Sequence, residues 1–371
     1  MKKFLAIIFS ALLICSASAC SQGETEASSE TTAEISATTV AETTQKSAET
    51  DPNLKEKLDG KLTEEEFEGV AQITKDGEVI YQFANGTDEL GEPITIESNM
   101  YIGSVSKQFC AAAIMALRDQ GKLSVDDSLS KYFPEYKYAD KLTIKNLLTM
   151  RSGIYDMVNE GMVNELSLDN TAEENAAAVE EWIFGQELKF EPDSSYAYSN
   201  SNFFLLGEIV EQVSGKTYIE FMRETFFEPL GMNHTGCTDE VFDSPDWVKG
   251  LKSDSQTLQV TPKGLPKGAG DIVSTAADMD AWMSGIRSGK IISKESFEEM
   301  AQDYSPDFAV EYGYGLERTY NHGIGHNGLI GNYNSVDYIS EDGVYQLYAT
   351  ANNNFMVINT LPSLLLGDIM E

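Results

Sequence analysis

Gly103-Ser104-Val105-Ser106-Lys107 opens a run that continues to Gln120 with Phe109, Ala113, Ile114 and Leu117 at helical spacing, and Gly121 supplies a stop. Ser104 is therefore expected to open a helix, with Lys107 one turn later on the same face. A serine hydroxyl is a poor nucleophile at neutral pH and needs a base within hydrogen-bond reach, together with donors for the oxyanion formed on attack. Lys107 is placed to be that base if burial lowers its pKa, and the helix N-terminus favours a developing alkoxide. The pairing is not decisive alone. A second Ser-x-x-Lys occurs at Ser128 and Lys131, where Pro134 cuts off any long helix and no glycine precedes the serine, so that copy is read as structural.

Ser104 is lifted above chance by two further motifs that follow it in order. Tyr198-Ser199-Asn200 lies mid-chain, and His326-Asn327-Gly328 comes late, just ahead of strand-like sequence. Connecting stretches add to the pattern: Leu147 to Ile154, Glu228-Pro229-Leu230-Gly231-Met232, Gly268 to Thr275, and Gly313-Tyr314-Gly315-Leu316. From about Gly69 onward the chain resembles the serine β-lactamase and penicillin-binding protein superfamily, in the branch of class C β-lactamases, DD-carboxypeptidases and related esterases.

The resemblance implies that Ser104, Lys107 and Tyr198 are catalytic, with Tyr198 exchanging protons with Ser104 and helping to activate water. It implies substrate-binding roles for Asn200, His326, Asn327 and Gly328, and an oxyanion hole built from the backbone N–H groups of Ser104 and Leu329. His234-Thr235-Gly236 also spells His-x-Gly, but it follows Leu230-Gly231-Met232 and is read as a loop landmark. Two departures bear on substrate. Asn327 stands where a Thr or Ser hydroxyl commonly helps bind a substrate carboxylate, and Met150-Arg151 replaces a frequent His-Thr pair. Arg151 receives no catalytic role.

The rest of the chain sets the architecture. Two alternating runs about Asp76-Gly77 predict a β-hairpin, preceded by a short polar helix from about Asn53. Residues from about 127 to 260 read as a mostly helical insert, with helices over Phe203 to Val213 and Tyr218 to Phe226. Strands are expected at Asn332 to Ile339 and Val344 to Ala351, and a closing helix at Leu361 to Met370 capped by Thr360. The expected fold is α/β in the α+β sense: an antiparallel sheet built from N- and C-terminal segments, flanked by helices, with a helical subdomain inserted.

Lys2 and Lys3, an apolar run from Phe4 to Ile14 and then Ala17-Ser18-Ala19-Cys20 read as an export signal over 1–19, with Cys20 resembling the lipidated cysteine of a bacterial lipobox. Residues 20–52, rich in Ser, Thr, Ala and Glu, read as a disordered tether, leaving 53–371 as the folded hydrolase. The expected location is extracytoplasmic, anchored to the membrane through Cys20, with secretion as the alternative. Sixty acidic against 26 basic residues give a formal charge of -34, which argues against nucleic-acid partners.

Cys110 and Cys237 have no zinc-type spacing; a disulfide and two buried thiols both remain open. Gly323 and Gly325 argue against a helical metal pair at His322 and His326, and neither metal nor cofactor is expected. The expected activity is acyl-enzyme hydrolysis of a peptide, β-lactam or ester, foremost a D-amino-acid peptide or ester of the cell wall. The competing reading is a tethered penicillin-binding sensor that acylates without turnover.

Overall fold

The computed structural model describes residues 51–88, 91–237, 262–308, 310–353 and 358–370. The export signal, Cys20 and nearly all of the tether lie outside the described residues. Helix α1 spans Pro52–Glu64, with Asp51 accepting at its N-terminus from the backbone N–H of Asn53. Strands β1 (Gly69–Lys75) and β2 (Glu78–Asn85) form the expected hairpin. Asp76 and Gly77 both adopt positive φ, which gives a two-residue turn whose twist matches that of the strands.

The chain then makes the short strand β3 (Met100–Tyr101) and helix α2 (Ser106–Asp119). A helical section comes next: α3 (Ile144–Leu148), α4 (Ala172–Gly185), α5 (Asn200–Ser214), α6 (Tyr218–Met222) and α7 (Glu228–Leu230). Strands β4 (Gly236–Cys237) and β5 (Ile272–Ser274) pair with β3 in the order β3-β5-β4, a small sheet that sequence reading does not anticipate. Helices α8 (Ala276–Ser288) and α9 (Lys294–Met300) lead to strands β6 (Glu317–Arg318), β7 (Ile324–Ile330), β8 (Tyr333–Ile339) and β9 (Tyr345–Ala351), and to helix α10 (Leu361–Leu366).

The main sheet is antiparallel in the order β2-β1-β9-β8-β7-β6, so the first and last strands of the fold meet at β1 and β9. Apolar residues on β1 alternate between two cores. Ala71 and Ile73 pack with Leu58 and Leu62 of α1 and Leu361 and Leu365 of α10, whereas Val70 faces the larger core that contains α2. Every residue of α2 from Ser106 to Leu117 is buried, which explains why its sequence is apolar almost all round.

Three sequence-based expectations need correction. The α-helix starts at Ser106, and Ser104 sits in the 3-10 turn Gly103–Val105 that feeds it. Thr360 has helical dihedrals within the 3-10 turn Ile358–Thr360 instead of the extended conformation of a side-chain cap, and α10 stops at Leu366. The His326-Asn327-Gly328 triplet lies inside strand β7 rather than ahead of the strands; its glycines and polar residues carry no strand signal.

Glycine is required where β7 crosses the turn that carries Ser104. A Cβ on Gly328 would stand 2.0 Å from the carbonyl oxygen of Ile102 and 2.5 Å from Ser335 Oγ. Gly328→Ala is therefore expected to lower stability by about 1–3 kcal/mol. Gly60→Ala, within α1 and facing open space, is expected to raise it by about 0.5–1 kcal/mol. Urea midpoints of the two variants test the contrast.

Candidate active site

The turn that carries Ser104 is held from two sides. Ile102 N donates to Ile272 O at 3.1 Å, and Ser106 Oγ accepts from Ile272 N at 3.1 Å, which ties the turn to β5. On the other side Ser335 Oγ of β8 donates to Ile102 O at 2.6 Å, and Gly103 adopts φ 49 with its Cβ position 2.7 Å from Leu329 N. The backbone of Leu329 is thus brought against the residue preceding Ser104, the juxtaposition a two-donor oxyanion hole requires.

Lys107 is completely buried in the first turn of α2. Its Nζ donates to Ser104 Oγ at 3.0 Å, Asn200 Oδ1 at 2.8 Å and Ala269 O at 2.5 Å. Desolvation lowers its pKa to about 7, with Asp156, Cys110, Glu317 and Asp271 acting the other way. A lysine at that value holds a substantial fraction of neutral amine near pH 7 and is able to accept the Ser104 proton. Its ammonium position lies 4.9 Å from the Tyr198 ring centroid. Burial pushes the Tyr198 phenol well above 10, while its hydrogen bond with Ser104 works against that shift. Tyr198 is therefore a protonated phenol at neutral pH, suited to donate.

Asn200 begins α5, and Asp156 fixes its orientation, a residue that sequence reading missed. The Asp156 carboxyl accepts from Asn200 N at 3.2 Å and from Asn200 Nδ2 at 3.1 Å on both oxygens. With the amide nitrogen held there, Asn200 Oδ1 faces Lys107. Met150, at φ 58, accepts on its sulfur from Ser199 N at 3.4 Å and Asn202 Nδ2 at 3.5 Å, so it steadies the Tyr198-Ser199-Asn200 segment. Arg151 donates to Tyr304 O at 2.8 Å and lies toward Asp193, away from the serine.

On β7, His326 is buried, with Nδ1 2.5 Å from Asn327 O and Nε2 3.2 Å from the Tyr312 hydroxyl. Desolvation lowers its pKa below 6.5, opposed by Glu317. The contacts fit a neutral ring that donates from Nδ1 and accepts the Tyr312 O–H on Nε2. Asn327 Nδ2 donates to Glu317 Oε2 at 3.0 Å. A further link unseen in sequence joins β7 to α2: Asp337 Oδ1 accepts from His326 N at 2.8 Å, and both its oxygens accept from Gln108 Nε2 at 2.7 Å.

The structure thus brings Ser104, Lys107, Tyr198, Asn200, His326, Asn327, Gly328 and Leu329 together. The duplicate pair is elsewhere: Ser128 donates to Ala139 O at 3.0 Å, and Lys131 pairs with Asp127 at 2.8 Å on the surface. His234 is likewise apart, its backbone held by Asp278 and Asn99. His322 lies in a turn and His326 on a strand, so helical ligand geometry does not arise. Cys110 and Cys237 are buried and form no disulfide.

If Asp156 sets the direction of Asn200, Asp156→Ala will free the amide to rotate. The rate of covalent labelling of Ser104 by a fluorophosphonate is expected to fall about 10²-fold while the protein still melts cooperatively.

The chain has relatives among known proteins. The Beta-lactamase family profile matches residues 54–354. A putative penicillin-binding protein, PbpX, of Bacillus subtilis is 29% identical over 81% of this chain and 74% of its own length. A D-aminopeptidase of Brucella anthropi is 28% identical over 67% of this chain, which spans 48% of that enzyme. Among solved structures, the octameric penicillin-binding protein homologue of Pyrococcus abyssi superposes with a TM-score of 0.69 at 27% identity, covering 85% of this chain and 77% of the other. The chain belongs to the Beta-lactamase family of serine hydrolases, in the β-lactamase/transpeptidase-like superfamily.

Proposed function

We propose that the protein is an extracytoplasmic serine hydrolase that forms an acyl-enzyme on Ser104 and acts on a D-amino-acid peptide or ester. The observation that carries the chemistry is the buried Lys107 amine 3.0 Å from Ser104 Oγ, with its pKa drawn down to about 7. The aminoacyl preference draws on the similar D-aminopeptidase and on a Staphylococcus aureus teichoic acid D-alanine hydrolase, 25% identical over 72% of this chain. Export and anchoring through Cys20 rest on the N-terminal sequence. Membership of the class C-like branch rests on Tyr198-Ser199-Asn200 as the middle motif.

In acylation, neutral Lys107 takes the Ser104 proton as Oγ attacks the carbonyl carbon, and the oxyanion is received by the N–H groups of Ser104 and Leu329. Tyr198 gives its phenolic proton to the departing amine or alcohol and is reprotonated by the Lys107 ammonium, which carries the proton taken from Ser104, so that Lys107 is neutral again for deacylation. In deacylation a water attacks the ester, its proton passing to the same base and finally back to Ser104. Each cycle therefore consumes one water and restores every side chain.

Fluorophosphonate labelling is expected in the native protein and lost in Ser104→Ala; an unlabelled native protein would sink the proposal. Because the Lys107 pKa is lowered, the amine is protonated below about pH 7 and free above it. The labelling rate should therefore rise with pH up to about 7 and then level off, a profile readable from rates between pH 5 and 9. Lys107→Arg, permanently charged, should lose about 10²–10⁴-fold in rate.

A further inference from the structure

Glu317 lies against the His326-Asn327-Gly328 motif. It lies on the two-residue edge strand β6, with Cα register opposite Gly325, beside the motif that commonly contacts a substrate carboxylate. Its Oε2 accepts one hydrogen bond, from Asn327 Nδ2 at 3.0 Å, and its Oε1 lies 3.8 Å from His326 Nε2. The side chain keeps 16% of its surface exposed.

Among the described residues no lysine or arginine forms an ion pair with Glu317. The neighbouring cations are engaged elsewhere. Lys107 is bound to Ser104, Asn200 and Ala269, Arg318 faces Glu311, and Arg151 lies toward Asp193. His326 is spent on Asn327 O and the Tyr312 hydroxyl. A carboxylate with free lone pairs and no ion-paired lysine or arginine, close enough to Tyr196, Tyr198 and Tyr312 to act on them electrostatically, repels an anionic substrate and attracts a cation. The aromatic rings favour a positive group as well.

We infer that Glu317 receives the ammonium group of the substrate, so that the enzyme acts on aminoacyl esters or amides with a free α-amino group and not on N-acylated or carboxylate-terminated peptides. This inference rests on the acyl-enzyme reading above and narrows its substrate. Chemically it adds no step: the aminoacyl carbon bonds to Ser104 Oγ, the alcohol or amine leaves with one proton, and water releases the free amino acid. Asn327 positions the carboxylate through its 3.0 Å hydrogen bond and in doing so gives up the contact a Thr or Ser hydroxyl would have made with a substrate carboxylate.

The test compares D-alanyl-p-nitroanilide with its N-acetyl derivative on the intact protein, with fluorophosphonate labelling of Ser104 run in parallel. The native protein is expected to favour the free amine in kcat/KM by roughly 10- to 100-fold, the worth of one hydrogen bond to a charged group. Glu317→Gln, which keeps the shape and the bond to Asn327, should collapse that ratio toward one, mainly through KM, and Glu317→Asp should restore part of it. In the native protein the ratio should also fall above about pH 8 as the substrate amine loses its proton. Lys107, His326, Tyr196, Tyr198 and Tyr312 are the titratable neighbours of Glu317, but their titration acts on both substrates and cancels in the ratio. A native ratio near one, or a ratio unchanged in Glu317→Gln, overturns the inference. Failure of the native protein to label overturns the acyl-enzyme reading instead, so the two failures are distinguishable. Should Glu317→Gln not label, the native ratio and its pH dependence still decide.

Discussion

The site depends on one backbone contact, that between the turn at Ile102-Gly103 and the strand at Gly328-Leu329. There is no room for a side chain at either glycine, so two main chains from opposite ends of the sequence touch directly. This closeness gives Ser104 and Leu329, the proposed nucleophile and second oxyanion donor, a shared position, since each adjoins a glycine of the contact. Strand β8 reinforces it through Ser335, whose hydroxyl bonds Ile102 O at 2.6 Å. The small sheet holds the other side of the same turn through Ile272. A loop between three sheet strands would otherwise be free to move; here it is clamped so that Ser104 has little freedom to lose on reaction.

A second tie keeps the clamp in register. Gln108, next to Lys107 on α2, donates to both oxygens of Asp337 on β8, and Asp337 accepts the N–H of His326 on β7. Trp282 Nε1 donates to Gln108 Oε1 at 3.1 Å and so determines which end of the amide faces Asp337. Burial raises the Asp337 carboxyl to about 7. The acid is tolerated in the interior because donors surround it, and in return helix and strand are locked by directed bonds that a purely apolar contact would not supply.

Much of this was legible in the amino-acid sequence where local chemistry is distinctive. The hairpin about Asp76-Gly77 follows from turn residues at positive φ, and the nucleophile helix from its apolar spacing and Gly121. Strand β7 was not legible as a strand, because Gly325, His326, Asn327 and Gly328 are chosen for close approach and recognition instead of strand propensity. Asp156, Glu317 and Asp337 were invisible for a different reason. In a chain with 60 acidic residues an isolated carboxylate carries no signal until folding shows which ones are buried or placed against the site. Met150 could be seen as a departure from the usual His-Thr pair, but its use as a sulfur acceptor for the Tyr198 segment needs the three-dimensional contact.

The same abundance of carboxylates makes the neutral lysine a problem that the structure has to solve. An acidic environment stabilises an ammonium, and Asp156, Glu317 and Asp271 all raise the Lys107 pKa. Desolvation is the larger effect and prevails, while these acids direct their hydrogen bonds to other donors: Asp156 to Asn200, Val158 and Asn159, Glu317 to Asn327, and Asp271 to the backbone of Gly268. None forms an ion pair with the amine, whose own partners are a hydroxyl, an amide oxygen and a backbone carbonyl. Neutral partners orient the lysine without adding the full negative charge that would hold its proton. A direct carboxylate at the Asn200 position would add a full charge to the ammonium form and raise the pKa, making the base weaker in effect by leaving it protonated at neutral pH. The amide at Asn200, with Asp156 one bond behind it, thus separates orientation from charge, and this separation allows a strongly acidic protein to keep a basic amine beside its serine.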